Sequence, residues 1–247
     1  MKTPIHLRFN VNKISKYCIL PGDPGRCEII ASFLESPHLV GSNREFTIWN
    51  GTLDSTLVTV CSTGIGGPSA AIALEELTEA GANTFIRVGT CGGIATKVRG
   101  GDCVIATAAV RQEGTSCEYA PIEYPAATDF RITSALAQAA LNLDIPHHLG
   151  VVQSKDSFYG QHAAERMPVS EQLVQKWQAW KRLGVLASEM ETAAFATVAA
   201  SLGVSFGAIF LTLWNQERVK LGILDPDVTD NSVAIKVAIE ALRILIK

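Results

Sequence analysis

No run of apolar residues reaches the roughly 18 that a membrane-spanning helix requires. The opening stretch MKTPIHLRFNVNK lacks the apolar core of a secretion signal, so the expected location is the cytoplasm. Neither sign of charge dominates: 21 Lys and Arg stand against 24 Asp and Glu, a formal net charge of -3. Neither nucleic acid nor a membrane surface is therefore an expected partner. The six cysteines (Cys18, Cys27, Cys61, Cys91, Cys103 and Cys117) include no CxxC pair and mostly sit in apolar runs. They read as reduced small hydrophobes rather than as a disulfide framework. Internal repeats, low-complexity tracts and Pro/Ser-rich linkers are also missing, so residues 1–247 are read as one domain. There is no GxxxxGK[ST] phosphate loop and no HExxH metal motif. Gly64-x-Gly66 begins like a dinucleotide fingerprint, but Ser69 stands in the third glycine's place, and Arg87 rather than an acid follows about twenty residues on. That argues against a nicotinamide enzyme.

What the chain does have is alternation. Residues 17–20 (YCIL) read as a strand, followed by the turn Pro21-Gly22-Asp23-Pro24-Gly25 and a helix starting near Arg26. Further strands are predicted at 57–62, 84–90, 102–110, 149–153 and 206–213. Helices are predicted at 69–80, from an Asp129 cap to about Leu141, and at 171–183, 192–202 and 232–246. Within 171–183, Leu173, Trp177, Trp180 and Leu183 recur at helical spacing and are read as a core stripe. The predicted fold class is α/β, a mixed, mostly parallel central sheet flanked by helices. Ligands in such sheets bind beyond the carboxyl ends of the strands.

Three strand-to-loop junctions there are rich in glycine and hydroxyls: 21–26 (PGDPGR), 62–69 (STGIGGPS) and 87–93 (RVGTCGG). Each alone reads equally as a tight turn. Glycine lets backbone N–H groups approach an anion, a helix N-terminus adds partial positive charge, and arginine adds a fork of donors. Together, with Arg26 and Arg87, they favour a phosphate site. Two carboxylates, Glu189 and Glu191, open an apolar helix. They are either helix-start acids or acceptors for paired sugar hydroxyls, which would also stabilise positive charge on the sugar. Residues 155–162 (KDSFYGQH) set an aromatic pair beside Lys, Gln and His. This is either a solvated loop or a seat for a flat polar heterocycle, stacked on Phe158 and paired with the Gln161 amide.

Taken in order, PGDPGR, NREF (43–46), CSTGIGGPS (61–69), IRVGTCG (86–92), FYGQ (158–161) and SEMET (188–192) resemble the nucleoside phosphorylase-I family, and within it the branch acting on uridine. The similarity spans nearly the whole chain. The resemblance implies phosphorolysis of uridine to uracil and ribose 1-phosphate, with phosphate bound by Gly22, Arg26, Arg87 and Thr90, and by Arg44 reaching into a neighbouring subunit's site. Ribose would be held by Met190 and Glu191 and by His6 of the adjacent protomer. The base would be held by Phe158 and Gln161. Arg87, Glu191 and Gln161 would carry the catalysis. The partners implied are uridine, phosphate and further copies of the chain: at least a dimer, and a hexamer built as a trimer of dimers. No organic cofactor is implied; Glu45, Ile65 and Ser69 match positions that hold a monovalent cation such as K+ at the dimer interface in some members.

The sequence departs from the family in one respect. Many members carry an arginine two residues after the glutamine, and here that place is Ala163, with Arg166 lying further on. His162 and Lys155 are the inferred replacements, and His162, titrating near neutrality, would make base affinity depend on pH. The aspartate that protonates purine N7 in the purine members has no counterpart, since no acid lies between Phe206 and Gln216. A purine nucleoside phosphorylase, or a nucleoside-binding protein without activity, are the alternatives. Trp214 either shapes the base pocket or packs in the core.

Overall fold

The computed structural model describes residues 4–10 and 13–247. In chain order the elements are β1 (Tyr17–Leu20), α1 (Gly25–Ala31), β2 (Glu35–Asn43), β3 (Phe46–Leu53), β4 (Thr56–Cys61), α2 (Gly67–Glu79), β5 (Thr84–Gly93), β6 (Cys103–Gln112) and α3 (Thr115–Tyr119). There follow β7 (Ala126–Ala127), α4 (Phe130–Asn142), β8 (His147–Lys155), α5 (Phe158–His162), a 3-10 turn (Ala164–Arg166), α6 (Ser170–Arg182), β9 (Ala187–Glu189), α7 (Thr192–Leu202), β10 (Ser205–Asn215), α8 (Gln216–Lys220) and α9 (Ser232–Ile246).

All ten strands join one mixed sheet in the order β10-β6-β8-β9-β5-β1-β4-β3-β2, with β7 beside β6. The longest ladders, β5–β10 and β6–β8, are parallel, while β2–β3–β4 is an antiparallel meander. β10 also pairs with β5, so β5, β10, β6, β8 and β9 close into a ring. β1 shows why the apolar run YCIL does not alternate. All four residues are buried, because the strand lies between β4 and β5 with helices on both faces.

One face carries α2 and α7, packed with Leu74, Leu77, Phe195 and Phe206; the other carries α1, α4 and α9, with Ile30, Leu136, Ile235 and Ile239. Helix α7 is buried from Thr192 to Ala199, as a helix apolar on every side must be, and ends at Gly203 with φ 68. Phe195 and Phe206 stack at 5.1 Å between centroids, and truncating either to alanine would cost about 3–5 kcal/mol. Asp129 caps α4 as predicted, its Oδ1 accepting from the N–H groups of Arg131 (2.8 Å) and Ile132 (3.1 Å).

One reading of the sequence is corrected, and some elements had been left unassigned. The β2–β3 hairpin was not foreseen. Helix α6 forms as predicted, but it has no buried residue, and Leu183 is 73% exposed, so its stripe is not core. Trp177 and Trp180 instead face a cavity, each spending its indole N–H on a side chain of another element: Trp177 on Glu217 (2.9 Å) and Trp180 on Gln112 (2.8 Å).

Candidate active site

The loops after β1 and β4 and the ends of β5, β8, β9 and β10 surround a cavity of about 720 Å³. Its first wall is built from the turn at 21–25. The Gly22 carbonyl accepts from the Gly64 N–H (2.9 Å), tying the two glycine loops together. A Cβ at Gly22 would sit 3.2 Å from the Gly64 carbonyl oxygen and 3.7 Å from Arg87 Nη2, so glycine permits the close approach. Gly64 has φ 67, and a Cβ there would meet Ser69 Oγ at 2.8 Å. Arg26 lines this wall beside Arg87 and Thr90. Burial, the largest cause, together with the nearby Arg87 charge, draws the Arg26 guanidinium below its ordinary value against the pull of Asp23.

Arg87 is held from the floor of the sheet. Its backbone is paired to Leu20 of β1 and Ala208 of β10, and its side chain is 5% exposed. Nη2 donates to Glu191 Oε2, Nη1 to Thr63 Oγ1 (3.4 Å), and Nε has no partner among the described residues. A buried donor left unpaired costs about 1–3 kcal/mol, which an incoming anion would offset. Glu191 Oε1 accepts from the Gly66 N–H (2.7 Å), so this carboxylate spans two of the glycine-rich segments.

Both acids of SEMET line the cavity, and they differ in their partners. Glu189 is the helix-start acid: its carboxylate accepts from the N–H groups of Glu191 (2.9 Å) and Thr192 (2.9 Å) and from Ser154 Oγ. Burial and then the neighbouring Glu191 raise its pKa above the ordinary value. Glu191, with Met190, faces the cavity.

The far wall carries Lys155, Phe158 and His162. Lys155 is 5% exposed, and burial lowers its pKa to about 8 against the pull of Glu189 and Glu191. Phe158 is half exposed and lies 4.3 Å from the His162 ring, centroid to centroid. Burial, then Lys155 and Lys220, push His162 below its ordinary 6.5. Trp214 borders the cavity 6.0 Å from the His162 ring, and β10 slips register between Thr212 and Trp214. That irregularity lets both Leu213 and Trp214 line the cavity, whereas regular strand alternation would send them to opposite faces.

Gln161 lies behind this wall. It lines an adjoining cavity of about 660 Å³ under α6 that shares Lys155, His162 and Trp214 with the first. Arg166 stacks its guanidinium over Tyr159 at 5.1 Å and stays outside both cavities, so it does not replace the missing arginine. His6 and Arg44 also lie outside both. His6 Nδ1 meets Glu76 Oε1 at 2.7 Å, and Arg44 forms the β2–β3 turn with φ 56. Ser69 Oγ donates to Glu45 Oε1 (2.8 Å) beside Ile65, which is 77% exposed. Sequence reasoning assigned nothing to Thr63 or Ser188, although both fall inside motifs it quoted.

The sequence profile of the phosphorylase superfamily matches residues 16–233. Over 241 residues the chain is 52% identical to the uridine phosphorylase of Treponema pallidum, covering 98% of this chain and 93% of that protein. Over 246 residues it is 39% identical to the uridine phosphorylase of Escherichia coli, covering 98% and 97%. The guanosine phosphorylase of Halorubrum lacusprofundi is 41% identical over 204 residues, covering 83% and 80%.

Proposed function

The chain belongs to the phosphorylase superfamily, and on that premise we propose that it catalyses the reversible phosphorolysis of uridine to uracil and ribose 1-phosphate. The observation that carries this reading is one cavity with Arg26, Arg87 and Glu191 on one side and Lys155, Phe158 and His162 on the other. Phosphate binds at Gly22, Arg26, Arg87 and Thr90. At an effective dielectric of about 20, a charge pair at about 4 Å is worth roughly 4 kcal/mol before desolvation, so two or three guanidinium groups suffice to hold a dianion. Met190 and Glu191 hold the ribose. Uracil rests on Phe158, with Gln161, His162 and Lys155 around its polar edge.

The reaction is a displacement at the anomeric carbon. A phosphate oxygen forms the new C–O bond on the face opposite the base while the C–N bond breaks and its electron pair leaves with the uracil. The bound phosphate stabilises the positive charge on the sugar, and the Lys155 ammonium stabilises the negative charge on the departing base. A proton from solvent completes the neutral uracil. No side chain need act as a nucleophile.

Each site is shared between chains: Arg44 supplements the phosphate and His6 the ribose of a neighbouring subunit. Their positions outside their own cavity support this. The assembly is a dimer at least and a hexamer in full, and it works in pyrimidine salvage in the cytoplasm; among the described residues no helix is long and apolar enough to cross a membrane. Glu45, Ser69 and Ile65 offer the oxygen donors that suit a monovalent cation where two subunits meet. The purine alternative is disfavoured because no acid lies between Phe206 and Gln216; Asn215 there spends its side chain on the Ala95 (2.9 Å) and Val98 (2.8 Å) carbonyls and on capping α8. The test is release of free base from uridine, inosine and guanosine, with and without phosphate. Uracil released only when phosphate is present is expected; base release without phosphate, or binding without release, would overturn the reading.

A further inference from the structure

Ser188 stands in the middle of β9, 3% exposed, with its backbone paired to Gln153 of β8 and Gly92 of β5. Its hydroxyl lies between Lys155, on the far wall of the first cavity, and Gln161, which lines the adjoining one. Lys155 Nζ donates to Ser188 Oγ at 2.6 Å, and Ser188 Oγ donates to Gln161 Oε1 at 2.6 Å. An ammonium has three donors and no acceptor, so the single hydroxyl proton cannot return to Lys155. It goes to Gln161, and it needs the amide oxygen there rather than the amide nitrogen. A flipped amide would set a second N–H against a hydroxyl already receiving one from Lys155, and the hydroxyl proton would lose its acceptor.

We propose that Ser188 is a positioning residue that fixes the Gln161 amide with its nitrogen turned to the base, and so selects a 2,4-dioxopyrimidine over a 4-amino-2-oxopyrimidine. The proposal rests on the reading of the site as one that cleaves uridine. In the locked orientation Nε2 meets a ring carbonyl, and the second lone pair of Oε1 remains for the ring N–H of uracil. Cytosine has an unprotonated ring nitrogen in place of that N–H, so Oε1 would face a lone pair and lose its donor. A mismatch of this kind discriminates strongly, because the buried polar groups of the site are then left unpaired.

The lock holds while Lys155 is charged. The groups with charge or titration around Lys155 are Glu189 at the end of β9, Glu191 after it, Cys91 in β5, and His162 in α5. The two carboxylates favour the ammonium, whereas burial opposes it. Once neutral, the amine can accept the Ser188 proton, and the relay reverses.

The test is a cycle of Ser188→Ala, Gln161→Ala and the double variant, with thermal melting to check folding. Ser188→Ala is expected to raise the uridine KM about tenfold and to weaken inhibition by uracil to the same degree. Inhibition by cytosine stays level or strengthens, and the phosphate KM stays within about twofold. In the Gln161→Ala background the serine substitution adds less than about twofold. Ser188→Cys, which keeps the size and weakens the hydrogen bonds, serves if the alanine variant melts early. Wild-type KM and uracil inhibition in the serine variants would overturn the proposal, as would a tenfold loss that persists without Gln161. Wild-type protein that releases no uracil would instead overturn the functional reading, and this proposal with it.

Discussion

Arg87 and Glu191 are joined as an ion pair on the floor of the cavity, 5% and 4% exposed, with Nη2 donating to Oε2. The arginine comes from the middle of a strand and the glutamate from the residue that opens a helix 104 positions later. In the proposed reaction Arg87 would face the anion and Glu191 the sugar. The pair would then couple phosphate affinity to ribose affinity through a single contact.

Arg87→Ala should lower kcat/KM at least about 1,000-fold, since it removes both an anion donor and the support for Glu191. It should also cost about 3 kcal/mol of stability, because Glu191 is left buried with the Gly66 N–H as its remaining partner. Kinetics and thermal melting measured on the same preparation check both parts.

Arg26→Ala should separate the two effects. Arg26 makes no ion pair among the described residues, so the fold should lose no more than about 0.5 kcal/mol. The phosphate KM should rise about 100-fold, with the uridine KM little changed. A phosphate KM equal to that of the wild type would remove Arg26 from the anion site.

The pH profile should fall on the alkaline side, where Lys155, lowered to about 8, loses its proton. Below that value the ammonium is present and uridine kcat/KM holds; above it kcat/KM declines, tenfold per pH unit at the limit. His162, pushed below its usual value, should add no limb near neutrality. His162→Ala should raise the uridine KM roughly fivefold without moving the alkaline limb. A limb near pH 7 that vanished in this variant would return the titration to histidine.

Much of this was legible before any coordinates, and the failures have physical causes. The Asp129 cap and the short apolar runs placed most elements within a few residues, because caps and buried strands leave local marks. β2 leaves none: ESPHLVGSN contains Pro37 and Gly41, and from Glu35 to Leu39 every residue is exposed, so its pairing with β3 comes from the meander and not from alternation. The α6 stripe had the period of a core helix, but period reports a shared face and not what the face meets. Arg26, Arg87 and Glu191 stood out because they belong to glycine-rich or helix-opening motifs. The Ser188 contact could not be, since it joins β8, β9 and α5 through side chains alone.

Arg44→Ala and Arg26→Ala should each be nearly inactive alone. If Arg44 serves the neighbouring site, hybrids of the two variants contain one site with both arginines intact. Mixing and refolding the pair should then restore about a quarter of wild-type turnover in a dimer. No recovery would confine Arg44 to its own chain.

Glu217 clamps α6 against α8, accepting from Trp177, Lys181 and Lys220. Burial alone would raise its pKa, but those donors outweigh burial and hold it near 2. A depressed carboxylate contributes stability that is complete above its ordinary 4.5 and is lost as pH falls towards 2. Fluorescence of Trp177 should report loosening of α6 in that window, and Glu217→Gln should remove the step while costing about 2 kcal/mol.

The strand that carries Arg87 is hydrogen-bonded along both sides, to β1 and to β10, whereas Gln161 and His162 ride on the five-residue α5. Deuterium should therefore enter the backbone amides of 86–89 last and those of 158–162 among the first. An inhibitor built outward from the phosphate end would meet a mould, whereas one built outward from the base end would meet a surface that adapts to it.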